Sequence, residues 1–241
     1  MERLAINVDA GERGFGDALD LGFLPYVDEL NIALGGHAGE VAWSQELAGR
    51  ARAEGKLVNL HPGYPDRANF GRIVVDLPEV ELRSVLSRQR EVLLDVDSCK
   101  FHGALYNQAM VNGELAELLV DWAKGEGIDQ LLAMPGSELE RVAVEEGLRV
   151  RSEAFLDRAY VKKGARLVLA DRSLDGAVFE EVESCLGQYE SLLVKGEVFL
   201  LSGEMGKVSA ETVCLHGDGK VGLSVARAIA ETGFTAKARR G

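Results

Sequence analysis

The chain has four histidines, and all four sit in the same kind of place. His37, His61, His102 and His216 each close a short apolar run and precede a small or turn-forming residue, in NIALGGHAG, LVNLHPGYPD, CKFHGALYN and TVCLHGDG. Imidazole is the side chain that titrates or binds metal near neutral pH. If the apolar runs are parallel strands, the four rings gather at one end of one sheet.

Other polar groups fall at the same strand ends. Asn7 and Asp9 share a strand face by alternation, with Glu12 just beyond in INVDAGERGFGD. The glycines Gly11, Gly14 and Gly16 permit a tight loop there, but their order is not GxGxxG, so a dinucleotide fingerprint is excluded. Asn31 precedes His37 across Gly35 and Gly36. After His61 comes HPGYPDRANFGR, stiffened by Pro62 and Pro65 and dense in Tyr64, Asp66, Arg67, Asn69 and Arg72, which suits a substrate wall or an anion clamp. Lys100 and His102 alternate onto one face, followed by Tyr106 and Asn107. A lysine inside a strand needs a carboxylate partner, for which Asp9 or Glu12 is the natural candidate. Later ends supply Glu153, Asp157 and Arg158, then Arg172, then His216 and Asp218. Any one of these fits a satisfied core polar group. Their joint position at one end points to an active site.

The elements that must carry these groups alternate along the whole chain. Candidate strands are Leu4–Val8, Leu30–Leu34, Lys56–Leu60, Cys99–Phe101, Gln130–Met134, Leu148–Ala154 and Glu211–Leu215. Between them lie helical stretches: Val41–Glu54, a long one opened by Pro78, Glu114–Lys124 closed by Gly125, one capped by Ser137 and closed by Gly147, Val178–Tyr189, and Lys220–Glu231 closed by Gly233. This rhythm predicts a mostly parallel α/β sheet with crossover helices. Polar residues spread over nearly every strand end, which favours a closed barrel over an open sheet with one switch point. The segment GEMGKVS, Gly203 to Ser209, breaks the rhythm and is expected to form a small hairpin or insertion. No Pro/Gly/Ser-rich linker divides the chain, so one barrel domain over 1–241 is expected.

Composition narrows the function. Formal net charge is −12, from 27 Lys and Arg against 39 Asp and Glu. The only basic cluster is the tail Lys237, Arg239 and Arg240, so no nucleic-acid partner is expected. Cys99, Cys185 and Cys214 are odd in number and far apart, with no CxxC spacing, which argues for a reduced, cytoplasmic protein. Cys99 and Cys214 lie in apolar runs and read as small buried hydrophobes. No run reaches the roughly 18 apolar residues of a membrane span, and no signal-peptide apolar region opens the chain. Walker A, GxSxG and HExxH motifs are absent.

Taken together, NVDAGE, NIALGGHAG, HPGYPDRANFGR, KFHGALYN, EAFLDRAY and TVCLHGDG resemble the signature blocks of the LamB/YcsF family, over almost the whole chain. The resemblance implies a seven-stranded β/α barrel of the glycoside hydrolase/deacetylase type. It implies the A subunit of a 5-oxoprolinase: ATP-dependent opening of the 5-oxo-L-proline lactam to L-glutamate, with separate subunits B and C. ATP is then a co-substrate handled with those partners. Two departures, Gly36 where the family has an aromatic and Phe101 where it has proline, reshape the expected pocket wall.

On this reading the catalytic candidates are Asp9, Glu12, Lys100 and His102. Asp9 or Glu12 is the general base helped by a histidine, and Lys100 and His102 stabilise an oxyanion or orient the base. Candidate substrate-binding residues are Asn7, Asn31, His37, His61, Arg67, Asn69, Arg72, Tyr106, Asn107, Asp157, Arg158 and His216, with Arg67, Arg72 or Arg158 gripping a carboxylate. Two rival readings stand beside it. One is a metal-dependent deacetylase or amidohydrolase acting alone, with a divalent metal on Asp9 and two of His37, His61 and His102. The other is a non-catalytic lactam-binding subunit.

Overall fold

A computed structural model describes residues 2–217, 220–232 and 235–236. Asp218, Gly233 and the basic tail lie outside the described residues. Seven strands, β1 (Ala5–Ala10), β2 (Glu29–Ala33), β3 (Leu57–His61), β4 (Ser98–Cys99), β5 (Gln130–Ala133), β6 (Arg149–Phe155) and β7 (Thr212–His216), form a closed barrel. All neighbours are parallel, and β7 closes the ring between β6 and β1. The helices are α1 (Ala18–Phe23), α2 (Val41–Ala53), α3 (Glu79–Arg90), α4 (Gly103–Ala109), α5 (Gly113–Gly125), α6 (Glu138–Glu145), α7 (Val182–Lys195) and α8 (Lys220–Ala230). Among the described residues, no helix is long and apolar enough to cross a membrane.

Strand alternation divides the barrel sharply. Ile6, Val8, Leu30, Ile32, Val58, Leu60, Cys99, Leu131, Ala154, Val213 and Leu215 join the apolar core, where the helices pack on the strands. The alternate positions form a polar column inside the ring. Asn59 Nδ2 donates to Asn31 Oδ1 (3.0 Å), Asn31 Nδ2 to Asn7 Oδ1 (2.8 Å), and Asn7 Nδ2 to Thr212 Oγ1 (3.0 Å). Ser98 Oγ donates to Asn59 Oδ1 (2.6 Å). At the lower end Arg151 Nη1 lies 2.6 Å from Glu29 Oε1. Burial pushes the Glu29 carboxyl up, more than Arg151, Asn59 and Thr212 draw it down.

Several boundaries differ from the sequence expectation, each for a local reason. The fourth strand ends at Cys99, and the Lys100 and His102 N–H groups stay bonded to the Leu60 and Pro62 carbonyls up to the turn into α4. Gly103 makes that turn possible: its φ is +53°, and a Cβ there would stand 2.6 Å from the Gly71 carbonyl oxygen. The helix expected over Val178–Tyr189 runs instead over Val182–Lys195, since Phe179 N–H bonds back to the Asp157 carbonyl and Gly196 ends the helix in the left-handed region. Ser137 caps α6 as its sequence position suggests, accepting from Glu140 N–H. The GEMGKVS segment does form a hairpin, with Met205–Lys207 antiparallel to Glu197–Phe199. A second hairpin, Tyr160–Lys163 with Arg166–Leu169, was not expected; the apolar run before Arg172 belongs to it and not to the barrel.

Replacing Arg151 with methionine should cost about 3–5 kcal/mol in urea unfolding, because Glu29 is left buried without its partner. Replacing both by apolar residues should recover most of that loss.

Candidate active site at the C-terminal rim

The upper end of the polar column opens into a cavity of about 360 Å³ at the C-terminal ends of the strands. Its floor is set by Lys100, which is only 2% exposed. Lys100 Nζ donates to Asp9 Oδ1 (2.9 Å) and to Cys214 Sγ (2.8 Å), and lies 3.3 Å from Glu153 Oε2. Burial works against the ammonium, but Asp9, Cys214 and Glu153 hold its pKa well above the ordinary lysine value. Burial likewise works against the Asp9 carboxylate, yet His61 and Lys100 hold it well below the usual range. Glu153 is fully buried, and its charge is compensated by the ionic contact with Lys100, with the Tyr106 hydroxyl beside it.

Beside Asp9 stands a knot of imidazoles. His61 Nε2 lies 3.4 Å from Asp9 Oδ2 and 2.9 Å from His102 Nδ1. His37 and His102 stack in parallel with ring centroids 3.6 Å apart, and His61 is edge-on to both. His37 Nε2 is 3.2 Å from Glu12 Oε1. Burial and neighbouring imidazoles hold His37 and His102 well below the ordinary histidine pKa. His61 also suffers burial, but Asp9 draws its pKa up. One ligand atom from each of Glu12, His37, His61 and His102 lies within 4.8 Å of all the others, so these four are the residues that could hold a metal.

On the adjoining wall His216 is fixed by a carboxylate. Its Nδ1 is 2.8 Å from Asp157 Oδ2, and its backbone N–H donates to the same oxygen (3.2 Å). Burial opposes charge on Asp157, but His216 keeps the carboxyl below its usual pKa. Arg158 is buried beside this pair and spends its donors on the Ala170 (2.5 Å) and Ala177 (3.3 Å) carbonyls, pinning the hairpin over the rim. Burial, with Arg172 next, lowers the Arg158 pKa to about 10. The cavity of this acidic protein is lined by Arg72, Lys100, Arg158, Lys163 and Arg172 against Asp9 and Asp171, a cationic surface suited to an anionic ligand.

Asp9, His61, Arg72, Lys100, His102, Tyr106, Asn107, Arg158 and His216 all line this cavity, as their strand-end positions suggested. Glu12 and His37 stand behind His61 and His102, and Asp157 behind His216. Six expected binding residues do not line the cavity: besides His37 and Asp157, four are engaged elsewhere. Asn7 and Asn31 are committed to the column below it. Arg67 ties down the Gly35 and Gly39 carbonyls of the loop after β2, and Asn69 closes a local turn on Asp66. The expected metal set changes in its carboxylate: Glu12 stands with His37, His61 and His102, whereas Asp9 Oδ1 is taken by Lys100 and by Asn31. Cys214 is not an apolar filler, because it faces the barrel interior against Lys100. Sequence reasoning did not pair Glu153 or Cys214 with Lys100, although alternation from Arg151 and from His216 places both inside the ring, and it missed Lys163 with its hairpin.

The sequence profile of the LamB/YcsF family matches residues 4–239 of the chain. The crystal structure of a lactam utilization protein from Thermus thermophilus superposes with a TM-score of 0.84 at 30% identity, covering 98% of this chain and 100% of that one. A family 4 carbohydrate esterase from Streptomyces lividans aligns over 98% of this chain and 92% of that one, at 12% identity and a TM-score of 0.45, too distant to carry an argument.

Replacing Arg158 with methionine leaves the Ala170 carbonyl without its side-chain donor, worth about 1–3 kcal/mol when buried, and removes one of two donors to the Ala177 carbonyl, which keeps the Ala159 N–H. Amide exchange should then accelerate over residues 159–177 while the barrel strands keep their protection.

Proposed function

Because the chain belongs to the LamB/YcsF family, we propose that it hydrolyses a cyclic amide, with 5-oxo-L-proline as the substrate and L-glutamate as the product. The observation that carries this reading is the Asp157-held imidazole of His216 in one cavity with Asp9 and Lys100. The likeness to a lactam utilization protein supports the same substrate class.

With Nδ1–H donated to Asp157, His216 keeps a lone pair on Nε2 and works as a general base. It takes a proton from water as the water oxygen adds to the lactam carbonyl. It returns that proton to the ring nitrogen as the C–N bond breaks, which gives a free amine and a carboxylate. The Lys100 ammonium, held in place by Asp9, supplies the positive charge that stabilises the negative charge developing on the carbonyl oxygen. Arg72 and Arg172 at the rim grip the substrate carboxylate. A lactam is a poor electrophile, so ATP is consumed to activate it, with subunits B and C as partners. The three free thiols support a reducing, cytoplasmic setting for this single-domain subunit.

Glutamate release from 5-oxo-L-proline and ATP should require the chain together with subunits B and C. Replacing His216 with alanine should lower kcat about 10²–10⁴-fold with little change in KM. Replacing Arg172 with alanine should chiefly raise KM. A folded His216→Ala protein that turns over at the wild-type rate would remove the proton shuttle from the mechanism.

A further inference from the structure

The imidazole knot contains an electrostatic conflict that fixes what must lie within it. His61 Nδ1 is 2.8 Å from the Lys100 carbonyl oxygen, and His102 Nε2 is 2.8 Å from the Phe70 carbonyl oxygen. A carbonyl only accepts, so each of these ring nitrogens carries the proton. The remaining nitrogens, His61 Nε2 and His102 Nδ1, then each present a lone pair to the other across 2.9 Å. In a buried site two facing lone pairs repel. A positive species must stand with them, either an extra proton or a metal cation.

The surroundings favour the cation. Glu12 Oε1 lies 3.5 Å from His102 Nδ1, 3.9 Å from His61 Nε2 and 3.2 Å from His37 Nε2, so a carboxylate and three imidazoles gather within 4.8 Å, and binding one ion requires the His37 ring to turn out of its stack on His102. His37 is 1% exposed, and its Nδ1 makes no hydrogen bond. A backbone carbonyl fixing the far nitrogen of a ring is how proteins orient metal-binding histidines, and two rings have it here. One of those carbonyls belongs to Phe70, the only non-glycine among the described residues with positive φ, at 55°. A backbone held there for a bulky residue is strained, and the strain aims the oxygen at His102. Nitrogens on one tetrahedral zinc at about 2.0–2.1 Å stand roughly 3.3 Å apart, so the pair needs to part by only a few tenths of an ångström.

We propose that Glu12, His37, His61 and His102 bind one divalent transition-metal ion of the zinc type. Three imidazoles and one carboxylate select borderline ions such as zinc over magnesium or calcium, which prefer all-oxygen shells. Asp9 lies beside this site, its Oδ2 3.4 Å from His61 Nε2, and is held by Lys100 and Asn31 through its other oxygen. The inference shares the cavity with the proposed hydrolysis but does not depend on the identity of the substrate.

The test is a titration of the chelator-stripped full chain with zinc chloride at neutral pH, read by calorimetry and by the thermal midpoint. One equivalent should bind and raise the midpoint, and Glu12→Gln and His61→Gln should each weaken binding by more than about tenfold. X-ray absorption of the zinc-loaded wild-type chain, which needs no variant, should show three imidazoles in the first coordination sphere. No saturable binding, variants that bind as well as wild type, or one imidazole or fewer around the zinc would each overturn the proposal and leave a proton shared by His61 and His102. A chain that binds zinc but opens no lactam would keep this inference and sink the proposed reaction. A chain that opens the lactam without binding zinc would do the reverse.

Discussion

The Lys100 ammonium, enclosed in the barrel, is the charge around which the rest of the structure is arranged. A lysine buried to this depth survives only with partners, and Asp9, Glu153 and Cys214 from three other strands converge on it. That convergence links β4 to β1, β6 and β7 through the lumen. It also holds Asp9 ionised directly under the cavity, beside His61. The site's chemistry and the closure of the barrel thus share one set of contacts.

Below Lys100 the lumen is a hydrogen-bonded ladder where many barrels pack aliphatic layers. Asn7, Asn31, Asn59, Ser98 and Thr212 satisfy one another in sequence, and Glu29 with Arg151 ends the column. Such a network is worth most when every member is satisfied, and it then fixes one strand register. The apolar energy of the fold lies outside the ring, between strands and helices. Because the interior is rigid and polar, the groups at its upper end are held in fixed directions. The buried polar atoms of Tyr106, His37 and Glu153 cluster there, around the cavity and the imidazole knot. The hairpin pinned by Arg158 adds a cationic wall that the barrel alone does not supply.

Much of this was legible in the chain itself. Period-two alternation paired Asn7 with Asp9 and Lys100 with His102, and the need of a strand lysine for a carboxylate pointed to Asp9. Repeated strand-end histidines located the rim. Alternation placed Asn7 and Asn31 on the inward face but could not show how deep in the barrel they lie, so they read as binding residues when they brace the lumen below the cavity. Arg67 looked like an anion clamp because its loop is rigid and polar, yet only the folded loop brings the Gly35 and Gly39 carbonyls within its reach. The hairpin over residues 160–169 escaped notice because its apolar run resembles a barrel strand, although its two-residue turn at Gly164 and Ala165 is a local signal. Cys214 was misjudged because a thiol beside an ammonium and a thiol in a core leave the same local pattern.

The most direct measurement is the unfolding free energy of Lys100→Met against wild type as a function of pH. In wild type the folded Asp9 pKa is depressed, so its contribution is present above the unfolded value and is lost only as pH falls through the folded one. Without the ammonium, Asp9 keeps its burial and its His61 partner but loses one of the charges that hold its pKa down, so its pKa rises relative to wild type and the variant is penalised at high pH and relieved as Asp9 takes up a proton. A deficit of about 3–5 kcal/mol at pH 8 that narrows steadily toward pH 4 is the predicted result. A variant as stable as wild type at pH 8, or a deficit that does not change with pH, would contradict the central place given to this buried charge.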